Sequence, residues 1–166
     1  MKRLLICRHA KSSWKDRSVN DFDRPLNKRG KHDAPIIGQR LRIHGLVPDL
    51  ILSSPAQRAL TTALTYAQEL GYPQEKIATN QSQYAASVAR LLALIQETEA
   101  SVVTLMMVGH NPESTMLANF LSGLRIENIP TSGVVALEFA IQSWKEIQGA
   151  EGRLLEFEYP KKQSTV

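Results

Sequence analysis

Two arginines and two histidines stand where chemistry would be placed. Arg8 and His9 follow the apolar run LLIC, Arg58 follows LILSSPAQ, and His110 follows TLMMVG. No carboxylate lies beside either histidine in sequence. Guanidinium groups present a planar fork of donors that matches phosphate oxygens. One imidazole would attack phosphorus and the other would hydrogen-bond an equatorial oxygen. Phosphoryl transfer needs mainly positioning and charge stabilisation. The set therefore suits a tetrahedral dianion and supplies this without a metal. A two-histidine metal site is the competing reading, but arginine is a poor neighbour for a cation.

Other residues have blander readings. His32 and His44 lie in a helical pattern and read as ordinary helix residues. Cys7 ends an apolar strand and reads as a core thiol, and the C-x5-R spacing of a catalytic cysteine is absent. Lys11 and Trp14 follow His9 in CRHAKSSW. They are candidate substrate contacts at the pocket entrance, although Trp14 would serve equally to pin the loop. Asn111 follows His110 and is a candidate for substrate binding or for capping a helix. Asp21 and Asp23, in DFDR, are candidate proton donors. Pairing with Arg24 or capping a turn is the stronger reading for them.

The elements that must position these residues alternate. Leu4 to Cys7 reads as a strand, followed by a long polar loop, Arg8 to Pro25, of a length usually tied to function. A helix is predicted from Asn27 to His44, with Pro35 kinking it or delaying its start and Gly45 closing it. Leu50 to Leu52 is a second strand. Ser54 and Pro55 are expected to cap and open a helix that ends at Leu70 before Gly71. Lys76 to Ala78 is a short strand candidate and Ser87 to Thr98 a helix. Val102 to Val108 reads as a strand buried on both faces. Pro112 opens a further helix, and Val134 to Phe139 and Leu154 to Phe157 are later strands near the sheet edge. Alternation of this kind predicts a mostly parallel sheet with helices on both faces. Ligands then bind beyond the carboxyl ends of its strands, where Arg8, His9, Ser53, Ser54, Arg58 and His110 emerge.

Composition narrows the class. The chain has 166 residues, 43% of them apolar, which predicts one globular domain over residues 1–160 and a polar tail over 161–166. The net charge of +4 is only mildly basic. No basic block is interleaved with aromatics, so nucleic acid is not the expected partner, and Lys161 and Lys162 read as solvated. A single cysteine excludes an internal disulfide and a cysteine-rich zinc site. The apolar run in MKRLLIC is shorter than a signal peptide needs, and no stretch is as long as a membrane span. A cytoplasmic monomer is the expectation.

LLICRHAKSSW, DFDRPLNKRG, LILSSPAQRALTTA and VGHNPE together resemble the histidine phosphatase superfamily, and most closely its SixA-type phosphohistidine phosphatase branch. The motifs span Leu4 to Ala63 and return at Val108 to Glu113. The resemblance implies a three-layer αβα sandwich whose mostly parallel central sheet has at least one antiparallel edge strand. It implies His9 as the nucleophile that becomes phosphorylated, with Arg8, Arg58 and His110 completing the phosphate pocket and no cofactor. Two departures stand out: Ala10 replaces the commoner glycine after the histidine, and Asn27 the frequent threonine at the helix start. More informative is the absence of a carboxylate both in ATNQSQYAAS and directly after His110, where other branches carry a general acid. A positioned acid contributes roughly 100- to 10,000-fold for an alkoxide leaving group. Phosphohistidine leaves as imidazole, which can carry its own proton. The expected activity is therefore that of a metal-independent hydrolase acting on phosphohistidine in proteins. A phosphatase of small phosphate monoesters is the alternative, and a phosphate-binding module without turnover is the reading from a different class.

Overall fold

The computed structural model describes residues 1–162; residues 163–166 of the expected polar tail lie outside them. Six strands form one sheet in the order β3-β2-β4-β1-β5-β6. They are β1 (Lys2–Arg8), β2 (Leu50–Ser53), β3 (Ala78–Thr79), β4 (Thr104–Gly109), β5 (Val134–Phe139) and β6 (Arg153–Glu158). The pairs β1–β4, β4–β2 and β2–β3 are parallel, and β1–β5 and β5–β6 are antiparallel. Four helices, α1 (Lys28–Ile43), α2 (Gln57–Leu70), α3 (Val88–Gln96) and α4 (Glu113–Ser122), connect the strands.

The strand sequences dictate two cores. Side chains alternate across a strand, so an unbroken apolar run feeds both faces. Leu5, Cys7, Met106, Val108, Val134 and Ala136 pack with α1 and α2 residues such as Ile37, Leu41, Ala63 and Tyr66. Leu4, Ile6, Leu105, Met107, Val135 and Leu137 pack with Leu91, Ile95, Leu117 and Leu121 of α3 and α4. The outcome is the three-layer αβα arrangement.

Several boundaries differ from the sequence reading for identifiable reasons. α1 does not start late: it begins at Lys28 and runs unbroken through Pro35. Asn27 accepts a hydrogen bond from Gly30 N (2.8 Å), and buried Ala34, Ile37 and Leu41 hold the helix through the proline. Gly45 has φ +69° and passes its N–H to Arg42 O, the expected helix stop. β4 starts at Thr104 because the Asp49 carboxylate takes the N–H groups of Val103 and Thr104 instead. β3 lies two residues later than expected, since Gln74–Lys76 is a 3₁₀ turn. β5 is an interior strand between β1 and β6, so of the two later strands β6 is the one at a sheet edge. Lys162 is not a solvated lysine: it donates to Glu156 and to Phe157 O (2.7 Å). Among the described residues no helix is long and apolar enough to cross a membrane.

Candidate active site

The carboxyl ends of β1, β2 and β4 deliver the pocket. Arg8 pairs with Gly109 across β1 and β4, so His9 and His110 leave the sheet side by side. Their ring centroids are 5.3 Å apart. His9 N–H donates to Gly109 O (3.0 Å) and His9 O accepts from Ser132 N (3.1 Å), which fixes the backbone from two neighbouring strand ends. Thr62 Oγ1 accepts from Ala10 N (2.9 Å) while donating to Arg58 O (2.8 Å), tying the β1 exit to α2.

His9 is only 8% exposed. Its Nδ1 lies 2.7 Å from Ala10 O. A carbonyl can only accept, so Nδ1 carries the hydrogen and Nε2 keeps its lone pair. Burial, reinforced by His110, Arg58 and Arg8 and opposed by the Ala10 bond, pushes the His9 pKa down to about 3. The ring is thus a neutral base at pH 7. Arg58 Nε lies 3.4 Å from His9 Nε2. Arg58 belongs to the first turn of α2, where side chains lean back toward the helix start and hence toward the strand ends. Arg8 donates through Nη1 to Ile129 O (2.9 Å), and its buried Nε has no protein partner.

His110 Nε2 lies 2.8 Å from Ser54 Oγ, and its buried Nδ1 has no protein partner. Burial first, then the Arg58 charge, lowers its pKa to about 4. Ser54 does not cap α2 as expected. Its hydroxyl accepts from Ala56 N (3.2 Å) and turns to His110, and the helix begins two residues beyond Pro55, at Gln57.

Asp21 is not a poised proton donor. Its Oδ2 accepts from Tyr84 Oη (2.7 Å) and Arg58 Nη2 (3.1 Å), its Oδ1 from Arg24 Nε (3.1 Å), and its backbone oxygen from Arg58 Nη1 (2.6 Å). The Tyr84 bond foremost, with Arg58 and Arg24, holds its pKa down at about 2. It is ionised at neutral pH and acts as a brace for Arg58. Asp23 is exposed and makes no side-chain bond to a pocket residue among those described.

The remaining candidates separate from the pocket. Asn111 spends its side chain on the protein, accepting from Thr115 N and Oγ1 and donating to Asn128 Oδ1 and Ile129 O. It orders the 128–129 turn that receives Arg8, and substrate binding is not its visible role. Lys11 lines a separate cavity of about 250 Å³ with Arg29, Thr131 and Tyr159. Trp14 is 73% exposed and lies flat under Arg24, whose guanidinium carbon is 3.4 Å from the ring centroid. Arg24 in turn donates to Ser12 Oγ (2.7 Å), so Trp14 pins the loop that carries Asp21. Cys7 is fully buried and its thiol is pushed far up by burial, as expected of an inert core residue.

The sequence places Ser54 at the ligand edge but offers no site role for Thr62, Tyr84 or Gln83. Ser54 carried a signal in its place directly after a strand, but the sequence assigned it to the helix. Tyr84 stacks edge-on against both Phe22 (5.1 Å) and His110 (5.7 Å), from a segment distant in sequence. His44, Glu156 and Glu158 could together hold a metal ion, but Arg40 and Lys162 already pair with the two carboxylates.

Residues 4–81 match the model of the histidine phosphatase superfamily, branch 1. An uncharacterised chloroplastic protein of Arabidopsis thaliana is 34% identical over 161 residues, covering 91% of this chain and 72% of that one. The structure of SixA from Agrobacterium tumefaciens is 30% identical with a TM-score of 0.83, covering 96% of this chain and 98% of the other. The histidine phosphatase SixA complexed with tungstate shares the fold at a TM-score of 0.80 and 18% identity, over 95% and 97% of the two chains. With this fold, these motifs and this similarity, the chain belongs to the histidine phosphatase superfamily.

Proposed function

We propose that the chain is a phosphatase that forms a phospho-His9 intermediate and acts by preference on phosphohistidine in proteins, without a metal. The observation that carries this is the state of His9. Its Nδ1–H is committed to Ala10 O, so Nε2 keeps the lone pair, which faces Arg58 and accepts from its Nε at a long 3.4 Å. Attack by Nε2 on phosphorus would form the N–P bond and expel the substrate's imidazole with its bonding pair. Arg8 and Arg58 would neutralise the equatorial oxygens. Water then cleaves the phospho-His9 bond and returns the free imidazole.

The substrate preference follows from the acid. Asp21, whose carboxylate pairs with Arg58, stays ionised down to about pH 2 and is not ready to protonate an alkoxide. A nitrogen leaving group needs that proton less. The similarity to SixA at 30% identity supports the same choice.

The test compares hydrolysis of phosphohistidine, phospholysine and an alkyl phosphate, before and after chelation, and traps the intermediate with a labelled phosphate donor. The label should reside on His9 and vanish in His9→Ala, and phosphohistidine should turn over fastest. Unaltered turnover by His9→Ala would overturn the reading.

A further inference from the structure

A cavity of about 20 Å³ lies directly behind His110, on the side of the sheet covered by α3 and α4. It is the size of one water molecule. Gln83 and His110 both line it, as do Glu113 and Ser114. Two of the few buried side-chain atoms without a protein partner belong to these residues: Gln83 Oε1 and His110 Nδ1. Buried polar groups are otherwise almost always paired, directly or through water.

The hydrogen-bond directions around the two residues agree with one another. Gln83 is 3% exposed, and its Nε2 faces two carbonyls, Leu52 O and Val108 O, each at 3.4 Å. Carbonyls only accept, so the amide nitrogen is fixed there and Oε1 is left as an unmatched acceptor. On the far side of the imidazole, Ser54 Oγ already accepts from Ala56 N. Among the described contacts, the acceptor within reach of its own hydrogen is His110 Nε2, at 2.8 Å, and a buried hydroxyl without that acceptor would leave its hydrogen unpaired. Nε2 is then the lone-pair nitrogen and Nδ1 bears the hydrogen. Two residues that line the same water-sized space thus carry a partnerless donor, on His110, and a partnerless acceptor, on Gln83.

We infer that one buried water bridges His110 Nδ1–H to Gln83 Oε1, so that Gln83, acting through this water, is a positioning residue that sets the tautomer and ring orientation of His110. The chain of donors runs from Ser54 Oγ to His110 Nε2, and from His110 Nδ1 through the water to Gln83 Oε1. Because Gln83 is itself bonded to the penultimate residues of β2 and β4, the ring is referenced to the strands that deliver Arg58 and His110. The inference rests on the proposed phosphatase reading only for its consequence on turnover, since the tautomer can be observed without substrate.

The experiment uses the full chain. Long-range proton–nitrogen NMR, with His110→Asn to assign the signals, should show His110 as the neutral Nδ1–H form at pH 7. Gln83→Met removes the acceptor at nearly constant volume and should populate the Nε2–H form. Its kcat on phosphohistidine should drop about 10- to 100-fold, the range seen when a functional histidine loses the partner on its other nitrogen. Glu113→Gln should leave the tautomer unchanged. An Nε2–H form in the wild-type protein, or a folded Gln83→Met protein with the wild-type tautomer, would overturn the inference. So would a tautomer that responds to Glu113→Gln and not to Gln83→Met. Absence of wild-type turnover with the expected tautomer would count against the phosphatase reading alone.

Discussion

His9 and His110 are buried bases whose protonation the surroundings oppose, and this gives the protein a defined pH response. Both titrate near 6.5 when unfolded, but near 3 and 4 when folded. Between about pH 6.5 and 4 the unfolded chain holds more protons, so stability falls on acidification by about 1.4 kcal/mol per pH unit for each histidine. Urea unfolding from pH 7 to 4 should show this slope, and His9→Asn should remove about half of it. A slope unchanged by that substitution would contradict the burial argument. Asp21 lies at the other extreme. Its contribution is present above the ordinary carboxylate range and is lost only as pH falls toward 2. As a brace for Arg58, it is expected to act on substrate affinity: Asp21→Ala should raise KM about 10-fold, with the pH profile unchanged in shape. If Asp21 were the acid, hydrolysis of an alkyl phosphate would instead lose roughly 100- to 10,000-fold in kcat.

The element that most depends on one residue is the start of α1. A Cβ on Gly30 would stand 2.2 Å from Lys11 O, closer than any real contact, because α1 packs against the loop that leaves β1. Asn27 N donates to that same carbonyl (3.0 Å). Gly30→Ala should therefore cost about 3 kcal/mol, as overpacking does, and disturb the His9 loop. Gly45→Ala meets nothing within 4 Å and should cost about 1 kcal/mol for its left-handed backbone alone. Chemical denaturation of the two variants checks the contrast, and equal losses would refute it. The Arg-Gly of NKRG is thus legible as a motif in sequence, yet its physical reason is a through-space approach between two segments.

For the whole molecule, the sheet order brings three strand ends to one edge, and the pocket needs only groups from those ends and the loops above them. Exhaustive chelation should consequently leave phosphohistidine turnover within about twofold of the untreated rate, the outcome expected when arginines supply the charge stabilisation. A rate restored only by added metal would refute that. The sequence by itself nominated the residues proposed to carry the chemistry, because Arg8, His9, Arg58 and His110 each follow a strand signal. It also determined the αβα class, because uninterrupted apolar strands alternating with amphipathic helices have few other ways to bury both faces. Tertiary structure alone decided the roles of the supporting residues. Ser54 has the sequence character of a helix cap, but its hydroxyl turns to His110. Asp21 reads in sequence first as a partner for Arg24 and second as a proton donor; Arg24 does pair with it, and Arg58 and Tyr84 from other segments converge on it as well. Gln83 carries no sequence signal at all, and its importance arises from the water-sized space it shares with His110. Local patterns encode what a residue can do, whereas hydrogen-bond partners from distant segments decide which of those things it does.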